Sequence, residues 1–538
     1  MILVARLLTE FLSVAVLLGL LVYGLNAYVM VALHWWTRRG APVSPPPDPV
    51  GWPAVTVQLP LYNERYVARR LLDAAGALDY PRDRLEIQVL DDSTDDTPAI
   101  VAQAVSRLRA RGIAVVHVRR ADRTGFKAGA LGAGLASAAG EFVAIFDADF
   151  VPPREFLRRT IPYFADPRVA VVQTRWGHLN RDFSFLTTAQ SLGIDGHFGV
   201  EQAARCRGRL LLNFNGTAGV WRRAAIEHAG GWACDTLTED LDLSYRAQLR
   251  GWRILYLPDL VCPAELPVVI SGFKSQQRRW AKGSIQTARK LLPAVLRSPL
   301  SPWVKYQALV HLTYYLIHPL MLALVVLSVP ALDLGQRASP AGPVPGSILL
   351  TLASLGPAVL LVYGQTVLQE RGWRRALRLP SLLVIGVGVA WSTSLAVLSG
   401  LWDRDVTFVR TPKFGIGPGG GRWRGSRYVT GRPRGGLVEV ALGAYCGWTA
   451  WGLATDGQYG LLPFMVLYAA GFLTVGALTI LHAMPPRWGH LARLALLVGA
   501  LALGGTGAAR AAAEAPADGP PGLPGGPGST SPRDTPTP

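Results

Sequence analysis

Two short runs place acids where apolar, β-branched segments end. LEIQVLDDSTDDT carries Asp91 and Asp92, and EFVAIFDADF carries Asp147 and Asp149. A D-x-D spacing puts both carboxylates on one side of an extended segment. Two such groups offer hard oxygen ligands suited to Mg²⁺ or Mn²⁺. A cation there would neutralise a diphosphate leaving group. The pattern recurs at Asp240/Asp242 and Asp403/Asp405, but only Asp147/Asp149 ends a strand-like run. Any one D-x-D is more often a solvated or capping feature, so the weight lies on the combination. In TLTEDLDLSYRAQLRGW, Thr238 suits a helix N-cap with acids in the first turn. Asp240 there also suits a general base at the mouth of a crevice. Lys127, in DRTGFKAGAL, opens a helix after a strand, where an ammonium and a helix N-terminus can face phosphate. FKSQQRRWAKGSIQTARK, residues 273–290, carries many cations, one tryptophan and no acid. Gln276, Arg279 and Trp280 fall on one helix face. The guanidinium suits a diphosphate and the indole face a sugar ring. A basic helix lying on a membrane accounts for the cations and Trp280. It does not account for the Q-x-x-R-W spacing.

The surrounding chain must position these groups. It has 538 residues, half of them hydrophobic, and a formal charge of +18. That balance fits an anionic membrane face or anionic substrates. No zinc-finger spacing, helix-turn-helix or RNA-binding signature accompanies it, so nucleic acid is not an expected partner. The four cysteines are far apart, without C-x-x-C, and read as isolated thiols. Residues 11–33 are long and apolar enough for a retained anchor within 1–40. Arg38 and Arg39 follow it, so what comes next is expected in the cytosol. A proline-rich linker occupies 41–53. From 54 to 270, β-branched runs at 55–59, 86–90, 114–118, 142–146 and 169–173 alternate with helical patterns such as 98–111 and 127–139. That alternation predicts an α/β domain with a mainly parallel sheet, its ligands at the C-terminal strand ends. An interfacial amphipathic helix is expected at 271–300. Apolar segments follow at 305–330, 346–368, 381–401, 437–455, 460–482 and 489–506. Basic loops at 369–379 and 402–435 belong on one side of the membrane, so 381–401 is read as interfacial or re-entrant. The tail from 507 is Pro/Gly/Ser/Ala-rich and expected to be disordered.

In this order and spacing, Asp91-Asp92, Asp147-Ala-Asp149, Thr238-Glu239-Asp240 and Gln276-x-x-Arg279-Trp280 resemble the family 2 glycosyltransferases of the cellulose synthase superfamily. VLDDSTDDT, FKAGAL, FNGTAGVWRR and ELPVVISGFKSQQRRW are especially similar to the cellulose-synthase-like mannan and xyloglucan-backbone synthases and their bacterial relatives. The resemblance implies a GT-A, Rossmann-like catalytic domain between transmembrane helices. It implies nucleotide contact by Asp91 or Asp92, and metal and diphosphate contact by Asp149 with Asp147. Lys127, Gln276 and Arg279 would face the donor. Asp240 would be the base. Trp280, Glu239, Asn215 and Gly216 would border the acceptor. FVRTPKFG resembles the family's F-x-V-T-x-K gating loop, here within 403–435, with Phe408, Thr411 and Lys413 closing over the donor. Its order, Phe-Val-Arg-Thr, departs from that pattern. No segment resembles the cyclic-di-GMP-binding domain of bacterial cellulose synthases, so regulation by that nucleotide is not expected.

The expected function is that of an inverting hexosyltransferase of the plasma or inner membrane, its catalytic domain cytosolic. With Mg²⁺ or Mn²⁺ it would move a sugar from UDP-glucose or GDP-mannose to a growing β-1,4-linked glucan or mannan and extrude it. One alternative is transfer of a single sugar to a lipid. Another, of a different class, is a transporter or scaffold with a degenerate enzyme domain.

Overall fold

The computed structural model describes residues 2–38, 46–333, 345–368, 372–403, 405–428 and 433–484. The expected span at 489–506 and the tail from 507 lie outside the described residues, as does the first part of the proline-rich linker.

Seven strands form one sheet: β1 Val55–Leu61, β2 Leu85–Asp91, β3 Ala114–Val118, β4 Phe142–Ile145, β5 Val169–His178, β6 Gly219–Arg222 and β7 Arg253–Ala264. Their spatial order is β3-β2-β1-β4-β6-β5-β7. β1 runs parallel to β2 and β4, and β2 to β3. β6 is antiparallel to both neighbours, and β5 and β7 are parallel. All five anticipated strands are present. β6 and β7 were not anticipated: β6 is only four residues, and β7 carries Pro258 and Asp259 inside its apolar pattern. The helical patterns at 98–111 and 127–139 appear as Thr97–Ala110 and Phe126–Ser137.

The central strands read as nearly continuous apolar runs because both faces are covered. On one face Val57, Leu59, Ile87 and Phe146 pack with Leu71 and Leu108 from helices. On the other, Val143, Ile145 and Trp221 pack with Leu131 and Leu243. Polar side chains inside the sheet bond each other or backbone carbonyls: Gln58 Nε2 donates to Gln88 Oε1 at 3.1 Å, and Gln173 Nε2 to the Ala218 carbonyl at 3.0 Å. The four cysteines are all free thiols, with Cys262 and Cys446 buried and Cys234 exposed.

Among the described residues, four helices are long and apolar enough to cross a membrane: Leu3–Thr37, Pro302–Ser328, Thr351–Leu368 and Leu462–Ala483. The segment expected to be interfacial or re-entrant forms two helices, Gly372–Gly388 and Ala390–Trp402, bent by 48° as in a broken span or a re-entrant loop. Leu437–Thr455 is helical but does not join the four. The first helix crosses Pro345–Leu368 at glycines. A Cβ on Gly356 would lie 2.1 Å from the Gly24 carbonyl oxygen, and one on Gly24 would lie 2.3 Å from that of Ala353. Small residues let two backbones approach in this way.

The basic stretch is the helix Ile270–Arg297, and its cations have specific partners. Lys274 pairs with the buried Glu439 of Leu437–Thr455. Lys282 meets Asp403 at 2.8 Å, and Lys290 meets Asp235 at 2.7 Å and Asp242 at 2.8 Å. Arg289 donates to the Gly400 carbonyl. The charge therefore ties the sheet domain to the apolar helices. A helix lying free on a lipid surface would leave those cations in water. Gly356→Val should force the two crossing backbones apart at a cost of about 1–3 kcal/mol or more. A lower thermal midpoint in detergent is the expected result, and an unchanged one would place the crossing elsewhere.

Candidate active site

The C-terminal ends of β1, β2 and β4 open onto one cleft, closed from the other side by the turn 213–218, the start of Glu239–Leu249, the helix Ile270–Arg297 and the loop 405–414. It encloses about 1260 Å³, counted out to open solvent. Asp92, Lys127, Asp147, Asp149, Asn215, Gly216, Glu239, Asp240, Gln276, Arg279, Trp280, Phe408, Thr411 and Lys413 all line it. Of the anticipated site residues, only Asp91 does not. Its carboxylate is buried beneath the strand end, accepting from Ser93 N at 2.9 Å and meeting His117 Nε2 at 3.0 Å. Between the two adjacent acids, the structure thus puts Asp92 on the cleft.

Asp92 has a local task as well. Arg120 grips both its oxygens and donates to the Thr124 and Phe126 carbonyls. That pair fixes a turn in which Gly125 (φ 72°) and Phe126 (φ 50°) are left-handed. The turn delivers Lys127 to the cleft. Lys127 Nζ lies 2.6 Å from Asp147 Oδ1, donates to the Gly216 carbonyl at 2.8 Å, and stands 3.8 Å from Glu239 Oε1. Burial alone would lower its pKa, but Asp147, Glu239 and Asp240 raise it above the ordinary lysine value.

Asp240 sits beside this lysine. Burial and the neighbouring Glu239 push its carboxyl up to about 7, against the pull of Lys127. Its Oδ1 accepts from Leu241 N at 2.8 Å. Gly216 is left-handed (φ 80°), and a Cβ there would lie 2.8 Å from Asp240 Oδ2. Glycine is required here both by backbone conformation and by the close approach. Thr238 holds the N-cap position of the Asp240 helix but makes no side-chain cap. Its hydroxyl pairs instead with Thr287 at 3.2 Å, across a contact where a Cβ on Gly283 would lie 2.6 Å from Thr238. The basic helix and the Asp240 helix are thereby set directly against each other. Asp242 turns away and is held by Arg246 and Lys290. Asp403 pairs with Lys282, and Asp405 caps its own turn. Only Asp147/Asp149 brings both acids of a D-x-D to the cleft.

Both of those acids are engaged by lysines. Asp147 has Lys127, and Asp149 Oδ2 has Lys413 Nζ at 2.6 Å. Among the described residues, no group of three or more His, Cys, Asp or Glu side chains is arranged to hold a metal. Two carboxylates do fit a hard divalent cation that takes its remaining oxygens from substrate phosphate and water. They do not fit one held by protein alone.

The loop is latched by residues that sequence reasoning missed. Arg410 makes a bidentate pair with Glu64 at 2.8 and 2.9 Å and lies 4.2 Å over the Tyr428 ring. Tyr428 in turn hydrogen-bonds Asp95. Buried Glu265 accepts from Phe414 N at 2.8 Å and pairs with Arg70 at 3.0 Å, while its carbonyl accepts from Lys413. Arg410 is the residue that breaks the F-x-V-T pattern, and that departure was the available signal. Nothing local marked Glu64 or Glu265. At the far end, Arg123 lies 3.3 Å over the Tyr62 ring, and Arg279 lies 4.6 Å over Phe408. Burial lowers the Arg279 pKa against the pull of Asp147, Glu239 and Asp240, and an arginine keeps its charge.

Residues 53–283 match the family model described as Glycosyltransferase like family 2. Glucomannan 4-beta-mannosyltransferase 2 of Arabidopsis thaliana is 46% identical over 252 residues, which are 46% of this chain and 47% of that protein. A probable glucomannan 4-beta-mannosyltransferase 2 of Oryza sativa subsp. japonica is 40% identical over 290 residues, 52% of this chain and 50% of that one. The chain spans about half the length of the curated relatives it matches. A Pyrobaculum calidifontis mannosyltransferase solved with GDP-Man and Mn²⁺ superposes with a TM-score of 0.47 at 26% identity, over 73% of this chain and 100% of that one. The matched segment contains the whole sheet and the cleft residues from Tyr62 to Trp280. Residues 53–283 are a family 2 glycosyltransferase domain, related in sequence to the glucomannan 4-beta-mannosyltransferases.

Proposed function

We propose that this protein is an inverting hexosyltransferase that moves a mannosyl group from a nucleotide-sugar to the 4-hydroxyl of a β-1,4-linked acceptor. The observation that carries the reading is Asp240, a raised carboxyl beside Lys127 and within the influence of Arg279, in a cleft built from strand ends. An acid near 7 is a usable base at neutral pH. The donor diphosphate would lie toward Arg279, Lys127 and the Asp147/Asp149 pair. The acceptor hydroxyl would lie at Asp240. Its proton passes to the Asp240 carboxylate as its oxygen bonds the anomeric carbon. The bond from that carbon to the phosphate oxygen breaks, and its electron pair leaves with the diphosphate. One displacement inverts the centre and needs no enzyme nucleophile. A divalent cation at Asp147/Asp149 would supply further neutralisation of the leaving group. Lys127 and Arg279 supply it from the chain itself.

Of the two donors expected, UDP-glucose and GDP-mannose, the names of the curated relatives favour the mannosyl one. A membrane setting is supported by the flanking helices. The cytosolic side is inferred from Arg38 and Arg39 after the first helix. Extrusion of a polymer is part of the same reading. Transfer of one sugar to a lipid would use the same chemistry, and product size separates the two. A degenerate domain in a transporter or scaffold is disfavoured, because Asp92, Asp147, Asp149, Asp240 and Arg279 converge on one cleft.

Asp240→Asn should lower transfer by about 10²–10⁴-fold while donor binding by calorimetry stays within a few-fold. Near-normal turnover would remove Asp240 from the role. Because Asp240 must be ionised to accept a proton, kcat/KM should fall as pH drops through about 7, approaching tenfold per unit below it, and that limb should vanish in the Asn variant. Arg410→Ala leaves Glu64 buried without its partner, a change that costs about 3–5 kcal/mol in comparable pairs. Slower transfer and faster proteolysis within 405–428 are expected together, and a full-speed, protease-resistant variant would deny the latch.

A further inference from the structure

Asn215 stands on the wall of the cleft beside Gly216, and both ends of its side-chain amide are held. Its backbone N–H donates to the buried Gln173 Oε1 at 2.9 Å, which anchors the turn. Gln202 Nε2 donates to Asn215 Oδ1, and Asn215 Nδ2 donates to His197 Nε2 at 3.1 Å. His197 Nδ1 lies 3.0 Å from Glu201 Oε2.

The direction of each bond follows from one fixed group. Gln202 Nε2 also reaches the Asn213 carbonyl at 3.1 Å. A carbonyl only accepts, so Gln202 must present its NH₂ there. Asn215 must then turn Oδ1 toward Gln202 and Nδ2 toward His197. His197 must accept at Nε2 and carry its proton on Nδ1, facing Glu201. Burial would raise the Glu201 carboxyl, but the His197 hydrogen bond and the Arg205 guanidinium hold it below the ordinary range, as an acceptor. From Gln202 through Asn215 and His197 to Glu201, every bond thus donates in the same direction. The series runs through a stretch, His197–Glu201, that is wound as a π-helix, a form common at functional sites.

An amide has two N–H groups and two strong acceptor positions. After the bonds to His197 and Gln202, Asn215, which lines the cleft, retains one of each, with donor and acceptor unable to exchange. Manno- and gluco-configured sugars differ only in whether the C2 hydroxyl is axial or equatorial. A fixed donor and acceptor side by side can read one arrangement of adjacent hydroxyls and leave the other mispaired.

We infer that His197 is a positioning residue which, through Asn215, sets the discrimination between manno- and gluco-configured acceptors, a role that rests on the proposed glycosyl transfer. His197 does not touch the acceptor. Together with Gln202 it pins the Asn215 amide at both ends, and with either end released the amide swings on the remaining bond.

The test uses the full chain in nanodiscs with the mannosyl donor and, separately, β-1,4-linked manno- and gluco-tetraose. His197→Ala should raise the acceptor KM about tenfold and cut the ratio of kcat/KM between the two acceptors by at least about fivefold, with donor KM within about twofold. Asn215→Ala should do the same, and the double variant should be no worse than Asn215→Ala alone, because one residue acts through the other. His197→Gln, whose amide can both accept from Asn215 and donate to Glu201, should restore part of the ratio. Gln202→Leu releases the amide at its other end, and should lower the ratio even if the His197 variants fold poorly. An unchanged ratio in His197→Ala and Gln202→Leu overturns the inference. So do losses that multiply in the double variant, or a donor KM that rises in step. Absence of transfer by the unaltered protein from any nucleotide-sugar would instead sink the functional reading beneath it.

Discussion

Crowded negative charge is the constraint that organises this protein. Asp147, Glu239 and Asp240 come from two separate elements to within reach of one ammonium, that of Lys127. Like charges brought together out of bulk water repel, and one of them must take up a proton or find a counter-charge. Lys127 satisfies Asp147 directly and leaves Asp240 as the member whose pKa rises. Much of the surrounding geometry serves that arrangement. The Arg120–Asp92 pair aims the lysine, Gly216 yields room to the Asp240 carboxylate, and the Thr238–Thr287 contact holds the helix that carries it.

Opposite faces of one helix join the chemistry to the apolar helices. Ile270–Arg297 presents Gln276, Arg279 and Trp280 to the cleft while Lys274 reaches the buried Glu439 among the apolar helices. A buried ion pair adds little net stability, but breaking it is costly. It therefore specifies where the sheet domain sits on the helices more than how tightly. Lys290 repeats the device toward the buried Asp242, while Lys282 meets the exposed Asp403.

Much of this was legible in sequence because the relevant groups sit in regular elements. The five anticipated strands announce themselves through apolar runs rich in β-branched residues. Asp92, Asp147 and Asp149 follow from the rule that ligands bind at strand ends, and Gln276, Arg279 and Trp280 from helical spacing. β6 escaped because four residues are too few for a period. Asp91 and Asp92 could not be told apart, since adjacent residues at a strand end point to opposite faces and only the fold decides which face is the cleft. Glu64, Glu265 and His197 were invisible for a different reason. Their roles lie in partners remote along the chain, Arg410 for the first and Phe414 for the second, or in a polarity that only a complete hydrogen-bond network fixes.

Glu265 carries a consequence for how the loop is held. Its carboxylate and its carbonyl receive two consecutive loop residues, Phe414 and Lys413, while Arg70 holds it from the domain side. A partial lift would leave a buried acceptor without a donor, and that costs more than either full engagement or full hydration. The two contacts that Glu265 makes with the loop are thus favoured together or not at all.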